Sequence, residues 1–160
     1  MKITLYFIFC VGLLLLVSCD PLRVYEKNVE IEKQQWFKDS IVILDFDIPD
    51  IKVAYNIYYN IRNSSTYPYH NLYITYTLTD STGQTLESEL IGHNLFDPKI
   101  GTPLGTSGLG DIFDHQFLIL ENYRFNYRGS YYLRLEQTMR IDPLIDILAV
   151  GVRVEKAVSK

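Results

Sequence analysis

The sequence predicts an all-β protein, an antiparallel β-sandwich of about seven strands, from three observations. Apolar and polar residues alternate in several separate runs, which places one face of each strand on a core and the other in water. Clusters of Pro, Asn, Asp, Ser and Gly separate these runs, as turns do. No segment long enough for a helix shows a helical period. Strands without helices must bury their apolar faces against one another, which favours a sandwich over the alternative, a β-barrel.

The predicted strands follow one another along the chain with turn signals between them. Strong alternation covers residues 42–48, 53–61, 72–78, 131–139 and 148–154, and weaker strands are predicted at 84–91 and 113–123. The turn signals are Pro49-Asp50, Asn63-Ser64-Ser65, Asp80-Ser81-Thr82-Gly83 and Arg128-Gly129. The alternation predicts buried side chains at Ile57, Ile74, Leu133 and Val152, and exposed ones at Lys52 and Glu155.

The N-terminus has the features of a lipoprotein export signal. The apolar run 5–17 is shorter than the roughly 20 residues that a membrane-spanning helix needs. It ends in 16–19, Leu-Val-Ser-Cys, which has the form of a lipobox. There the thiol of Cys19 receives a diacylglyceryl group and the new N-terminus is acylated, with chains such as palmitate. Asp20 does not continue an apolar helix, which argues against a signal anchor. We therefore expect a signal peptide over 1–18 and a lipid anchor at Cys19.

Composition bounds the mature protein. The chain has 160 residues, 15 Lys+Arg and 19 Asp+Glu, and this acidic balance argues against nucleic acid as a partner. Cys10 leaves with the signal and Cys19 is acylated, so no disulfide is expected within the mature chain. The fold must rest on its core, to which 13 Tyr and 8 Phe contribute. We expect a lipidated tether over 19–28 and one sandwich domain over 29–160.

The sequence predicts no catalytic residue, metal site or cofactor. The three histidines lie far apart, and no Ser or Cys stands in a nucleophile motif. The Gly/Pro-rich stretch 93–112 lacks the Gly-Lys-Ser/Thr ending of a phosphate-binding loop and leads towards a strand, so a long connection between sheets is favoured. The spacing of Asp45, Asp47 and Asp50 matches no calcium loop, and a solvated strand face is the preferred interpretation.

The residues also resemble a known family, the gliding motility lipoprotein GldH family. The resemblance lies in Arg62-Asn63, Tyr67-Pro68-Tyr69, Asn71-Leu72, Leu104-Gly105, Gly108-Leu109-Gly110-Asp111-Ile112, Phe125, Gly129, Glu136-Gln137, Met139-Arg140, Asp142-Pro143-Leu144 and Gly151-Val152-Arg153-Val154-Glu155-Lys156. It implies an envelope lipoprotein associated with gliding motility and the secretion system on which gliding depends. It implies no catalytic residues, because the family has none assigned.

Two functions and two locations stay open. The first function is a non-enzymatic accessory component that binds envelope protein partners. The alternative is a carbohydrate- or peptidoglycan-binding module, for which exposed tyrosines are suited. The resemblance favours the outer membrane, periplasmic face. Asp20 leaves the inner membrane as an alternative, because in enteric-type sorting this residue after the lipidated cysteine retains lipoproteins there.

The candidate partner-binding residues are Lys99, Asp111, Arg140 and Asp142. They lie in 93–112 and 136–144, where the family-like residues concentrate, and loops on a rigid sandwich are common binding sites. As the alternative, the loop glycines serve only backbone geometry and Arg140 forms an ion pair with Asp111 or Asp142.

Overall fold

The structure, a computed structural model, describes residues 20–158. The predicted signal peptide 1–18 and the lipidation site Cys19 lie outside the described residues. The strands are β1 (Arg23–Glu30), β2 (Gln35–Trp36), β3 (Val42–Ile48), β4 (Tyr55–Ser64), β5 (Asn71–Asp80), β6 (Thr85–Asn94), β7 (Thr106–Ser107), β8 (Ile112–Tyr123), β9 (Gly129–Gln137), β10 (Leu144–Ile145) and β11 (Ile147–Lys156), with one 3₁₀ turn at Glu32–Gln34.

Two antiparallel sheets form a sandwich. One sheet has the order β1-β11-β4-β8-β7 and the other has the order β3-β9-β5-β6. The pair β2–β10 forms a small third sheet. The sheets do not close on each other, so the sandwich prediction is confirmed over the barrel alternative.

The core follows from the alternation in the sequence. In β3 every second residue is buried, and the same pattern runs through β4, β5 and β9. The predicted core positions Ile57, Ile74, Leu133 and Val152 are all fully buried. Burying each such side chain contributes about 1.5–3 kcal/mol to folding.

The tether predicted over 19–28 is wrong from Arg23 onward. Residues Arg23–Glu30 form β1, which pairs with β11 from Arg23↔Glu155 to Glu30↔Ala149. The strand was missed because it lies at a sheet edge with most of its side chains in water, so only Tyr25 and Val29 among its apolar residues alternate. The short strands β2, β7 and β10 were also missed, since two residues carry no period.

The predicted exposure of Glu155 is wrong as well. Its carboxylate accepts hydrogen bonds from Arg153 Nε (3.0 Å) and from the Tyr58 hydroxyl (2.8 Å), and its side chain is largely covered. Arg153 also contacts Glu26 (3.1 Å) and the carboxylate of Asp20. Across 20–158, the structure contains no helix with the length and apolar character to span a membrane.

The sandwich has two unlike ends. The described chain starts at what we call the N-terminal end, where the Lys156 N–H donates to the Leu22 carbonyl (2.8 Å) and short connections at 49–54, 81–84 and 124–128 join the strands. The opposite end, here called the loop end, carries the longer segments 31–41, 65–70, 95–111 and 138–146. Strands β4 and β5 have 10 residues each. At about 3.3 Å per residue, such strands separate the two ends by about 30 Å.

Candidate functional site

The loop end is held together around a buried glutamine. Gln137 lies at the end of β9, and its side-chain amide donates to the carbonyls of Ile141 (3.3 Å) and Trp36 (3.4 Å). Its Oε1 accepts the N–H of Met139 (2.9 Å). Trp36 is fully buried and pairs with Leu144 in the small sheet. These contacts bind segments 31–41 and 138–146 into one unit.

Strained backbone is concentrated in the same unit. Lys33, Gln34 and Asp146 adopt φ values of 53°, 58° and 64°. These values lie in the left-handed region, which residues other than glycine rarely adopt. They are coupled, because the Asp146 N–H donates to the Gln34 carbonyl (2.9 Å) and the Ser64 N–H donates to the Asp146 carbonyl (3.2 Å). Such strain costs about 1–3 kcal/mol per residue and is common at functional sites.

An aromatic cluster fixes segment 95–111. The Tyr67 ring stacks on Phe96 with centroids 6.4 Å apart, and Phe96 meets the edge of Phe113 at 6.2 Å. The Tyr67 hydroxyl donates to the Asn71 carbonyl (2.9 Å). Further along, Gly105 lies flush against β8, since a Cβ there would sit 2.7 Å from His115 Nε2. Segment 95–111 is therefore tied to segment 65–70 through Tyr67 and to β8 through Phe113 and His115.

Beneath this segment, two histidines stack with Phe117. The ring centroids of His93 and Phe117 are 4.2 Å apart and the rings are nearly parallel, and the His115 ring is also nearly parallel to Phe117 at 5.6 Å. Burial lowers the pKa of His115 to about 4 and lowers the pKa of His93. His93 Nδ1 contacts the Tyr59 hydroxyl (2.7 Å), whereas His115 Nε2 has no hydrogen-bond partner within 20–158. Neutral rings packed in this way support the fold.

The loop end also carries an open groove, here called the tyrosine groove. Tyr69, Tyr73 and residues 138–141 line it, and its volume is about 550 Å³. The Tyr73 ring lies flat over Gly92 on the neighbouring strand, where a Cβ would come within 2.3 Å of the ring. Both tyrosines stay partly exposed, so the groove offers aromatic surface beside the guanidinium of Arg140.

All four predicted binding residues are exposed at the loop end, at separate points. Arg140 lines the tyrosine groove and takes part in no ion pair within residues 20–158, so the structure does not contain the ion pair with Asp111 or Asp142 that was the alternative to a binding role. Asp142 accepts the Lys38 N–H (3.0 Å), while the backbone of Asp111 accepts the Ser65 N–H (2.7 Å). The Lys99 N–H donates to Asp97 (2.8 Å).

Exposed apolar side chains are the surface feature that the sequence did not reveal. Leu109, at the tip of segment 95–111, is 94% exposed. Other large apolar side chains exposed in the loop-end segments are Phe37, Tyr69, Ile100, Leu104, Ile141 and Ile145. The alternation of apolar and polar residues predicts strands. It does not predict exposed apolar side chains in loops, where polar residues and glycines surround them. Within the described range, no group of three or more His, Cys, Asp or Glu has the arrangement of a metal site.

Comparison with known proteins identifies the family. The sequence profile of the GldH lipoprotein family matches residues 23–154, nearly the whole sandwich. The chain belongs to the GldH lipoprotein family. It is 33% identical over 158 residues to the gliding motility lipoprotein GldH homolog of Christiangramia forsetii, with 94% of each chain covered. It is 28% identical over 156 residues to the gliding motility lipoprotein GldH of Flavobacterium johnsoniae, with 93% of this chain and 94% of the relative covered.

Solved structures are more distant from this GldH family member. The VP2 subviral particle of infectious bursal disease virus matches with a TM-score of 0.41 and 15% identity, over 88% of this chain and 34% of the viral one. A fructofuranosidase from Schwanniomyces occidentalis matches with a TM-score of 0.40 and 8% identity, over 89% and 35% of the two chains. This chain thus spans about a third of those proteins.

Proposed function

We propose that this chain is a non-enzymatic accessory lipoprotein of the gliding machinery and its associated protein secretion system. In this proposal Cys19 carries the lipid and holds the protein on the periplasmic face of the outer membrane. The loop end binds an envelope protein partner. The names of the two relatives support the link to gliding.

The observation that carries the proposal is the exposed apolar surface of the loop end, opposite the point where the described chain begins. Residue 20 follows Cys19 directly, so a lipid at Cys19 sits at the N-terminal end. The loop end then faces away from that anchor at a distance of about 30 Å. Exposed apolar groups rimmed by charges such as Lys99 and Arg140 are typical of protein-binding surfaces.

The rigidity of the loop end supports the same function. Segments 31–41 and 138–146 are joined by Gln137 and the β2–β10 pair, and the Tyr67–Phe96 stack fixes segment 95–111. A surface ordered before binding loses less conformational entropy on association. The arrangement therefore favours recognition of a partner with a defined shape.

The second candidate is a glycan-binding module, and the tyrosine groove favours it. The Tyr73 ring lies flat over Gly92, and Tyr69 lines the same groove, so a sugar ring has aromatic surface on which to stack. Arg140 adds donors for hydroxyl or carboxylate oxygens.

One experiment separates the two candidates. The full-length lipoprotein is recovered from detergent-solubilised envelopes, and binding of soluble peptidoglycan fragments is measured in parallel for the parent and Tyr73→Ala. The accessory role predicts a stoichiometric protein partner and no saturable glycan binding. Glycan binding that Tyr73→Ala abolishes, without a protein partner, supports the second candidate and contradicts the first.

A further inference from the structure

The two sheets leave four long strands with an open side, β1, β3, β6 and the part of β8 beyond its short pairing with β7, and these open sides bear unpaired backbone groups. An open edge is a template for pairing with another chain, and proteins protect such edges with inward-pointing charges or bulges. The four edges of this sandwich differ in this respect.

The edge strand β6 is protected by inward-pointing carboxylates. Glu87 and Glu89 pair with Leu78 and Tyr76 of β5, which are buried, and directly paired residues share a face of the sheet. Both carboxylates therefore lie on the inner face at the open side of the sandwich. An arriving strand would bury them against its own side chains, at a large desolvation cost.

The edge strands β8 and β1 are protected by irregular backbone. The pairing of β8 with β4 shifts register between Tyr55 and Ile57 and again between Ile57 and Tyr58, and Asn122 in β8 has a φ of 53°. These bulges interrupt the regular spacing that a partner strand needs. β1 has a register shift between Arg23 and Tyr25, and Lys27 shares the inner face with buried Val152.

The edge strand β3 has neither kind of protection, although Tyr25 of the neighbouring edge strand β1 packs against Phe46 on its inner face, with ring centroids 6.0 Å apart. It pairs with β9 in one unbroken register from Val42↔Leu135 to Ile48↔Gly129. Its inner face is apolar throughout, and in the part of the chain that the structure describes it pairs with β9 alone. Its outer face bears Ile43, which is 52% exposed, and the carboxylates of Asp45 and Asp47.

A groove with both apolar and charged lining residues continues from this edge, and Glu30, Glu32 and Lys33 contribute the charges. It lies beside the first residues of β3 and has a volume of about 630 Å³. Val29 and Ile31 from the end of β1 line one part, and Phe37 and Ile43 line another. The groove provides space for an apolar side chain of a strand that pairs with β3.

We propose that β3 is a docking edge to which an extended segment of a protein partner adds as a further strand. Backbone hydrogen bonds would supply the pairing, and side chains on alternate residues would supply the specificity. The incoming strand carries an apolar side chain for the groove and basic side chains beside Asp45 and Asp47. Asp45 takes part in no hydrogen bond or ion pair with the other described residues, so its charge is free to select the partner.

The same charge rejects a second copy of this chain. Asp45 is the central residue of β3, so a symmetric antiparallel pair of β3 strands that pairs along its full length would place Asp45 directly opposite Asp45. Like charges at facing positions destabilise a strand pair. The edge therefore fits a basic strand from a different protein and does not fit self-association.

This inference goes beyond the proposed function, since β3 lies along the side of the sandwich, although the groove beside it includes Phe37 of the loop end. The test is amide hydrogen exchange on the full-length lipoprotein, in its solubilised complex and after separation in the same detergent. Within residues 42–48, the alternate amides that point away from β9 should exchange at least about tenfold more slowly in the complex, because they gain hydrogen bonds. Residues 85–94 of β6 should not change.

Two variants complete the test. Asp45→Lys should lower partner recovery by about tenfold or more, because it places like charges across the new pairing. Leu90→Lys on β6, where the side chain is 60% exposed, is the matched control and should retain the partner. Both should melt like the parent.

Unchanged exchange at 42–48, equal protection of β6, full recovery with Asp45→Lys or a parent protein isolated without any partner would each overturn the inference. A partner lost through loop-end substitutions, with 42–48 exchanging alike in both states, would overturn the docking edge and leave the proposed function standing.

Discussion

The two ends of the sandwich are built in different ways. At the N-terminal end, short turns close the core, and Phe125 packs within 4.4 Å of Tyr131 and 5.7 Å of Tyr55, measured between ring centroids. The Tyr131 hydroxyl donates to the Tyr127 carbonyl (2.9 Å). At the loop end, comparable apolar groups such as Leu104 and Leu109 face solvent.

This difference indicates that the N-terminal end contributes mainly to stability, whereas the loop end offers apolar surface for binding. Aromatic side chains buried at the N-terminal end contribute to folding, whereas an exposed leucine contributes little until a partner covers it. The strained residues Lys33, Gln34 and Asp146 also lie at the loop end, where they oppose stability. We therefore expect substitutions at the two ends to affect different measurements.

The largest expected effect concerns the anchor. Cys19→Ser removes the thiol that the lipid requires, so the variant should lose all fatty-acid label and accumulate as uncleaved precursor or as a soluble periplasmic product. The check is metabolic labelling with a fatty-acid precursor, compared with the parent. A variant that still carries label would contradict the lipid anchor.

The next effect tests the N-terminal end as the stable one. Phe125→Ala should lower the free energy of unfolding by about 3–5 kcal/mol, because it leaves a cavity among Tyr55, Tyr131 and Phe46. Leu109→Ala should change it by less than about 0.5 kcal/mol. Chemical denaturation of a form without the signal peptide and the lipid measures the free energy of unfolding of both variants. Equal losses would remove the distinction between the ends.

A smaller effect concerns pH. Burial depresses the pKa of His115 to about 4 in the folded protein, against about 6.5 unfolded. The neutral ring is thus favoured by folding, so the stabilisation is complete above pH 6.5 and is lost as pH falls towards 4. His115→Phe should reduce this dependence, leaving the part due to His93, whose pKa burial also lowers. The free energy of unfolding of the parent and of His115→Phe is measured at pH 7.5 and pH 5. If the difference between the two pH values is the same for both proteins, the burial argument is contradicted.

The smallest effect on stability should come from the predicted binding residues. Lys99→Ala, Asp111→Ala and Arg140→Ala remove exposed side chains, so thermal stability should stay close to that of the parent. Partner recovery should fall nonetheless. If stability and recovery fall together, these residues support the fold and the interface lies elsewhere.

The sequence revealed the sandwich but only part of the surface. The alternation in 42–48 and 72–78 identified β3 and β5 because their inner residues are all apolar and buried. β1 was not predicted because its backbone pairing with β11, more than a buried apolar face, holds it in place, so its sequence shows little alternation. The tyrosine groove was not predicted either. The proximity of Tyr73 and Gly92 depends on strand register, which a single sequence does not specify.

The central claim is that the loop end binds the partner and the N-terminal end does not. The direct measurement compares two double variants of the full-length lipoprotein, Leu104→Ser with Leu109→Ser at the loop end and Leu22→Ser with Ile51→Ser at the N-terminal end. All four side chains are exposed, so both variants should fold and melt like the parent. We predict that the loop-end variant loses partner recovery and gliding while the N-terminal variant retains both. Retention by the loop-end variant, or equal loss by the N-terminal one, would contradict the claim.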